Sequence, residues 1–180
     1  GARAVEMDGV SITVYCTEWQ RVNAIPISGQ LGGDGGAAWI NFHPGAIQDL
    51  GKNGNAEMFS MVLVEIPDDI PPRLISASID FNVGLLRLLF SEVVDLNPPT
   101  ITSNLTRVHL SNSTASRQIT LGTFDETNGY ATGATVVSVD NIVVYIYLSE
   151  QQRVAALKLS GTPGGDGGQI MMDLQTGGFR

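Results

Sequence analysis

Strict alternation of apolar and polar side chains is the clearest pattern in this chain. Residues 75–81 place an apolar side chain at every second position, and residues 86–90 repeat the alternation after a turn at Asn82-Val83-Gly84. A period of two is typical of a β-strand that buries one face, so the pattern predicts a hairpin whose inward side chains are Ile75, Ala77, Ile79 and Phe81 on the first strand and Leu86, Leu88 and Phe90 on the second. Residues 142–147 are almost wholly apolar, which predicts a strand covered on both faces.

Short strands separated by turn residues indicate the fold class. Further strands are expected at residues 10–15, near Thr106–Leu110 and near Arg117–Leu121, and 21 glycines suit frequent turns. We therefore predict an all-β protein built as a sandwich of two sheets. Apolar residues make up 43% of the chain, which is enough for one sizeable core.

A short helix interrupts the strands at two places. Residues 17–20 and 149–152 each begin with a hydroxyl residue and carry Gln three positions later, which is the sequence of a helix capping box. The second helix is expected to bury Val154 and Leu157 on one face. We expect each helix to cross from one sheet edge to the other.

The two helices belong to an internal repeat. With an offset of about 132 residues, about 18 of roughly 48 aligned positions are identical without a gap. Gln20-Arg21-Val22 falls on Gln152-Arg153-Val154, and the glycine-rich stretches that follow also coincide. The chain is therefore longer than one repeat and shorter than two.

The repeat predicts three parts. Residues 1–66 correspond to the back part of one unit, residues 67–72 form a Pro-rich linker, and residues 73–180 correspond to a unit without its last strand. The first copy ends in an apolar strand, Met58–Ile66, that has no counterpart after Arg180. We expect this strand to complete a neighbouring sandwich. Its assembly residues are Met58, Phe59, Met61, Val62, Leu63 and Val64.

A glycine-rich loop occurs once in each copy. The loop residues are Gly32, Gly33, Asp34, Gly35 and Gly36 in the first copy and Gly164, Gly165, Asp166, Gly167 and Gly168 in the second. One interpretation is a tight loop that leads into a strand, because glycine permits positive φ. A calcium site at Asp34 or Asp166 is the alternative, although one carboxylate among glycines offers few oxygen ligands. A phosphate loop is excluded because no Gly-Lys-Ser/Thr sequence follows.

The net charge of −8 bears on the choice of partner. An acidic surface repels phosphate backbones, so we expect no nucleic-acid partner. It also disfavours anionic membranes, and no apolar run approaches the about 18 residues of a membrane span, so no membrane insertion is expected. The chain begins at Gly1 with neither a signal peptide nor an initiator Met, which suggests a processed or excised piece.

Residues 72–95 combine an Asp-x-Asn-x-Gly turn at Asp80–Gly84 with a Phe-Ser-Glu strand end at Phe90–Glu92. This stretch resembles the opening of an immunoglobulin-like repeat of the S-layer type. Such repeats occur in tandem in large secreted and cell-surface proteins of bacteria and algae. Residues 148–180 are similar to the closing half of that family. The resemblance implies an immunoglobulin-like β-sandwich with a short helical crossover, in an extracellular or cell-surface protein.

Two glycosylation sequons lie close together, at Asn104-Leu105-Thr106 and Asn112-Ser113-Thr114. In a secreted chain they predict N-linked glycans on Asn104 and Asn112, and the alternative is an ordinary polar loop. No other cofactor is expected.

The remaining candidate residues favour structural roles. His43 and His109 lie in different copies without Cys or a carboxylate at ligand spacing, so we expect no metal site. Cys16 aligns with a leucine and is expected to be buried, with an intermolecular disulfide as the alternative. Trp19 and Trp39 have no aromatic counterparts in the second copy, and are either packing residues or residues that stack on glycans.

No arrangement of nucleophile, base or paired acids is recognisable, so no enzyme is expected. The leading hypothesis is an extracellular structural subunit that polymerises with itself, head to tail, into a fibril. In this hypothesis the strand near residues 56–66 completes a neighbouring subunit's sandwich. If the two units complete each other within one chain, the protein is a compact monomer and the hypothesis fails. The alternative is an excerpt of a cell-surface adhesin array that binds glycan or calcium.

Overall fold

The computed structural model describes residues 1–5, 9–97, 103–112, 119–122 and 133–179. These residues form mainly antiparallel β-structure with two short α-helices, so the predicted all-β class is confirmed. The chain divides into two compact units, Gly1–Ile70 (the first unit) and Pro71–Arg180 (the second unit). The boundary between the units falls inside the Pro-rich segment that the sequence suggests as a linker.

The first unit consists of two separate two-stranded ribbons and a helix. Its elements are β1 (Arg3–Val5), β2 (Thr13–Tyr15), α1 (Glu18–Ala24), a 3₁₀ turn (Ile25–Ile27), β3 (Trp39–Phe42) and β4 (Met58–Val62). Strand β1 pairs with β2, and β3 pairs with β4, both antiparallel. Among the described residues of this unit only Ser28 is buried, so the ribbons lack a closed core.

The second unit is a packed β-structure. Its elements are β5 (Leu74–Asp80), β6 (Leu85–Val94), a 3₁₀ turn (Leu105–Arg107), β7 (Val108–Asn112), β8 (Ile119–Thr120), β9 (Thr135–Val136), β10 (Asn141–Tyr147), α2 (Glu150–Lys158) and β11 (Ile170–Leu174). One sheet has the strand order β5-β6-β10-β9 and the other has the order β11-β7-β8. Both sheets are antiparallel throughout.

A single cluster of apolar side chains forms the core of the second unit. Its buried members are Leu86, Leu88, Phe90, Val94, Leu96, Val108, Leu110, Leu121, Val144, Ile146, Leu148, Ala156 and Phe179. Both sheets and α2 contribute to this cluster. Burial of this apolar surface is the main source of stability that the second unit has and the first lacks.

The predicted hairpin is β5–β6, with Gly84 at φ +68° in its turn. Leu86, Leu88 and Phe90 are buried, as their alternation predicts. On the first strand, Ile79 and Phe81 pack against the core as predicted. The predicted inward position is wrong for Ile75, whose side chain is 63% exposed, and Ala77 is exposed as well. The pairing of β5 with β6 shifts register between residues 74 and 76, and this irregularity reverses the facing of the first strand residues.

The internal repeat is visible in the backbone of both units. Arg3 pairs with Tyr15 in the first unit, and Thr135 pairs with Tyr147 at the equivalent positions of the second. Helices α1 and α2 both begin with a complete capping box. Equivalent glycines have matching positive φ angles, which are +92° at Gly32 and +95° at the corresponding Gly164. Local structure is therefore the same in both copies.

Burial is where the two copies differ. Val144 and Ile146 of β10 are fully buried, whereas the equivalent Ile12 and Val14 are 49% and 55% exposed. An open concavity of about 1160 Å³ lies on the first unit and is lined by residues that include Ile12 and Ile47. Positions that are buried in the core of the second unit are therefore exposed at the surface of the first unit.

Two sequence predictions about the helical segments are corrected by the structure. Val154 is 37% exposed, and the buried residues of α2 are Gln152 and Ala156, so the predicted apolar face is rotated. Cys16 is exposed, not buried, because the first unit has no layer covering the position that Leu148 fills in the second. No helix among the described residues is long and apolar enough to cross a membrane.

Candidate assembly site

The outer edge of β11 is unpaired among the described residues of the second unit. Strand β11 is the last strand of its sheet and pairs with β7 on one side only. In an antiparallel strand, alternate residues direct their backbone groups to opposite sides. The Gln175 N–H donates to the Arg107 oxygen at 2.9 Å, so odd-numbered residues face β7. Ile170 and Met172 therefore direct their N–H and C=O groups to this side, here called the open edge.

The first unit shows which strand lies at the equivalent edge. The Leu63 N–H donates to the Ala38 oxygen at 2.9 Å, and Ile40 pairs with Met61 in the same register. Ala38 and Ile40 are the counterparts of Ile170 and Met172. Strand β4 thus lies against β3 on the side that corresponds to the open edge of β11. The β3–β4 pair is a template, inside the same chain, for a strand at that edge.

The predicted assembly strand is therefore not a loose tail, because it is paired with β3. Its side chains are nevertheless all exposed by 41% to 97%. They are Met58 (45%), Phe59 (54%), Met61 (45%), Val62 (60%), Leu63 (41%) and Val64 (97%). A contiguous apolar strand at this level of exposure is typical of an interaction surface.

The Glu65 carboxylate, which follows β4, accepts two backbone hydrogen bonds that the sequence does not predict. Its Oε1 accepts the Ala38 N–H at 2.5 Å, and its Oε2 accepts the Gly29 N–H at 3.0 Å. The carboxylate thereby bridges the start of the glycine loop and the start of β3. The sequence carries no motif for this contact, since the donors are backbone groups 27 and 36 residues away.

The glycine loops are built by their own backbone. The Asp34 carboxylate accepts the Gly36 N–H at 2.7 Å, and Asp166 accepts the Gly168 N–H at 2.9 Å. In both copies the backbone oxygen of the serine that precedes the loop accepts the N–H of the fourth loop residue. Gly35 donates to the Ser28 oxygen and Gly167 donates to the Ser160 oxygen, each at 3.2 Å. These bonds favour the tight-loop interpretation over a calcium site. No group of three or more metal-ligating side chains occurs within the described part of the chain.

Gly165 is needed for close backbone approach, and we expect Gly165→Ala to destabilise the second unit. A Cβ at this position would lie 1.9 Å from the Ser160 oxygen and 2.7 Å from the Leu157 oxygen. Backbone atoms cannot move aside as a side chain can, so the expected loss in free energy of unfolding is about 1–3 kcal/mol. Urea denaturation followed by circular dichroism measures it.

Gly161→Ala is the control for this substitution. Its added Cβ would meet the Gly168 oxygen at 3.4 Å, an ordinary contact, so we expect a change within about 0.5 kcal/mol. Equal effects of the two substitutions would show that the glycine loop tolerates a side chain at Gly165.

The two predicted glycosylation residues have different surroundings. Asn104 is exposed, and its Oδ1 accepts the Thr106 hydroxyl at 2.5 Å. Asn112 is only 4% exposed, and its Nδ2 donates to the Leu159 oxygen at 3.2 Å and to Asp166 at 2.6 Å. The Asn112 amide therefore ties β7 to the glycine loop and is not accessible for glycan attachment in the folded unit. The other sequon residues, 113 and 114, lie outside the described residues.

The remaining candidate side chains are dispersed. The His43 ring packs edge-on against Phe59 at 6.0 Å. The His109 Nδ1 lies 3.1 Å from the Thr120 hydroxyl, while its buried Nε2 has no hydrogen-bond partner in the described part of the chain. Trp19 and Trp39 are 74% and 62% exposed. Among the described residues, neither histidine belongs to a group of three or more potential metal ligands.

Both helices contain an equivalent ion pair between an arginine and the glutamate three residues before it. Arg153 donates to Glu150 at 2.6 Å and to the Phe81 oxygen at 2.8 Å. Its hydrogen bond lowers the pKa of the Glu150 carboxyl, and the same contact raises the pKa of Arg153. Arg21 pairs with Glu18 in the same way and also with Asp68 of the Pro-rich segment. The arginine thus fastens each helix to a neighbouring chain segment.

Comparisons of the chain with family models, with curated proteins and with solved structures found no match.

Proposed function

We propose that this chain is an extracellular structural subunit that polymerises head to tail into a fibril. The strand near residues 56–66 of one copy completes the second unit of the next copy at the open edge of β11. The observation that carries the proposal is the β3–β4 pair. In it, β4 is paired with β3, which is the repeat counterpart of β11, at the edge that β11 leaves open among the described residues. The extracellular setting rests on the sequon at the exposed Asn104 and on the resemblance to surface-protein repeats.

The strand count supports an immunoglobulin-like sandwich as the finer description of the second unit. Its described sheets have four and three strands. A strand at the open edge of β11 would give four strands in each sheet, and edge strands left open are sites of association with other chains.

Side-chain facing supports the same strand. Ile40 and Phe42 pair with Met61 and Met58 in the first unit, and directly paired residues share a sheet face. The counterparts of Ile40 and Phe42 in β11 are Met172 and Leu174, which pack against the core cluster. A β4 strand in the same register would place its two methionines on the core side of the sheet.

Relative stability favours transfer of β4 from β3 to β11. In the first unit the β3–β4 pair is an exposed two-stranded ribbon, and such ribbons are marginally stable in water. On β11 the same strand would extend a sheet that is backed by a buried core. The apolar surface removed from water is therefore larger in the transferred arrangement.

A contact between unlike surfaces of two copies does not close on itself. Strand β4 of the first unit and β11 of the second unit are different surfaces, so each added copy leaves one of each available. Repetition of this heterologous contact gives an open filament unless the rotation closes a ring.

The proposal is tested by blocking the two surfaces separately. Met172→Pro removes an N–H at the open edge without removing a hydrogen bond to β7. Leu63→Pro removes the N–H, directly after β4, that donates to the Ala38 oxygen. We expect wild-type filaments in negative-stain microscopy and monomers for each variant in sedimentation velocity. An equimolar mixture of the two variants should form a dimer, because one retains the donor and the other the acceptor.

Met171→Thr is the matched control, since its backbone N–H stays paired with β7 and its exposed side chain lies off the edge. It should polymerise like the wild type, and circular dichroism should show both proline variants folded. A wild-type chain that stays monomeric at all concentrations would overturn the proposal. That result would favour the adhesin alternative, for which the exposed indoles of Trp19 and Trp39 are the supporting observation.

A further inference from the structure

The start of the open edge in the second unit carries two backbone donors that have no partner among the described residues. In the first unit the equivalent donors, the Gly29 and Ala38 N–H groups, are both held by the Glu65 carboxylate. Their counterparts are Gly161 and Ile170. Among the described residues, neither of these N–H groups has an acceptor across the open edge.

The two loops share backbone hydrogen bonds and φ angles, so we expect the spacing of the two donors to be similar in both copies. Gly33 donates to the Gln30 oxygen at 3.0 Å, and the equivalent Gly165 donates to the Thr162 oxygen at 2.9 Å. The φ angles of the paired glycines also agree, at +85° for Gly35 and +86° for Gly167. A carboxylate that fits one pair of donors fits the other.

The loop's own carboxylate does not satisfy these donors. Asp166 accepts the Gly168 N–H through Oδ1 and the Asn112 amide through Oδ2. Both of its oxygens are thus engaged elsewhere, and the acceptor has to come from another segment.

We infer that the Gly161 and Ile170 N–H groups form a carboxylate-binding notch that takes the Glu65 side chain of a second copy's β4 strand. The inference rests on the proposed strand addition and identifies what fixes its register. A carboxylate held by two N–H groups makes charge-assisted hydrogen bonds, which are about twice as strong as neutral ones. Backbone hydrogen bonds between β11 and an added strand do not depend on the side chains of that strand. The notch therefore selects a strand that is followed by Glu at the position of Glu65.

The test uses a dye-labelled peptide of residues 56–67 and the full-length Leu63→Pro chain, which keeps the acceptor edge and which we expect not to self-associate. Fluorescence anisotropy measures the affinity. We expect the wild-type peptide to bind and the Glu65→Gln peptide to bind about tenfold more weakly. A Glu57→Gln peptide is the control and should bind like the wild type, because Glu57 is exposed at the opposite end of the strand.

The site of binding is checked with a chain that carries both Leu63→Pro and Met172→Pro, to which the wild-type peptide should not bind. Equal affinities of the wild-type and Glu65→Gln peptides for the single variant would overturn the notch and leave strand addition standing. No binding of the wild-type peptide to the single variant would overturn both.

Discussion

Phe90→Ala is expected to lower the free energy of unfolding of the second unit by about 3–5 kcal/mol. Phe90 is 2% exposed and lies in the centre of the core cluster on β6. Its ring packs edge-on against Phe179, with centroids 5.4 Å apart and planes at 65°. Truncation removes this aromatic contact and leaves a cavity between the two sheets, and both effects reduce stability. Urea denaturation monitored by circular dichroism measures the change.

Phe59→Ala is the control for the first prediction. Phe59 lies on β4 and is 54% exposed, so its removal leaves no cavity. We expect its effect on unfolding to stay within about 0.5 kcal/mol. If both phenylalanine substitutions had the same small effect, the core cluster assigned to the second unit would be wrong.

Gln152→Ala should destabilise the second unit by about 2–4 kcal/mol, since several buried hydrogen bonds depend on one side chain. Gln152 is 4% exposed, and its Nε2 donates to the Thr120 and Leu121 oxygens at 2.9 and 2.8 Å. Its Oε1 accepts the Ser149 N–H at 3.0 Å and so closes the capping box of α2. The substitution leaves buried carbonyl groups with fewer donors and also removes part of the helix cap.

The repeat supplies a matched control at Gln20. Gln20 closes the capping box of α1 with the same geometry, and its Oε1 accepts the Thr17 N–H at 2.9 Å. It is exposed, and within the described ranges it makes no bond equivalent to those of Gln152 with Thr120 and Leu121. Gln20→Ala should therefore cost about 1 kcal/mol of local stability, measured by amide hydrogen exchange in α1. Equal losses at both glutamines would contradict the role of Gln152 in joining α2 to the end of β8.

Local patterns in the sequence predicted much of the secondary structure. The alternation at residues 86–90 identified the buried face of β6, and the capping boxes marked the first residues of both helices. These predictions succeed because the signals involve residues within one turn or one strand of each other. The register shift near Ile75 was not visible, since it depends on the partner strand.

Burial and long-range contacts were less predictable. The repeat alignment with Leu148 predicts a buried thiol at Cys16, and the sequon predicts a glycan at Asn112, but the structure places both residues in the opposite environments. Whether a position is covered depends on segments far away in the sequence. The Glu65 contact is of the same kind, because both of its donors are backbone groups that no residue type reveals.

The segment from the capping box to the glycine loop adopts the same geometry in a unit with a core and in a unit without one. Its shape is therefore determined by bonds between residues close together in the chain. Turns and helices of this kind close within microseconds, whereas pairing of β6 with β10 requires a distant part of the chain. During folding, the helix and loop of each repeat can form first and serve as the fixed point onto which the later strands assemble.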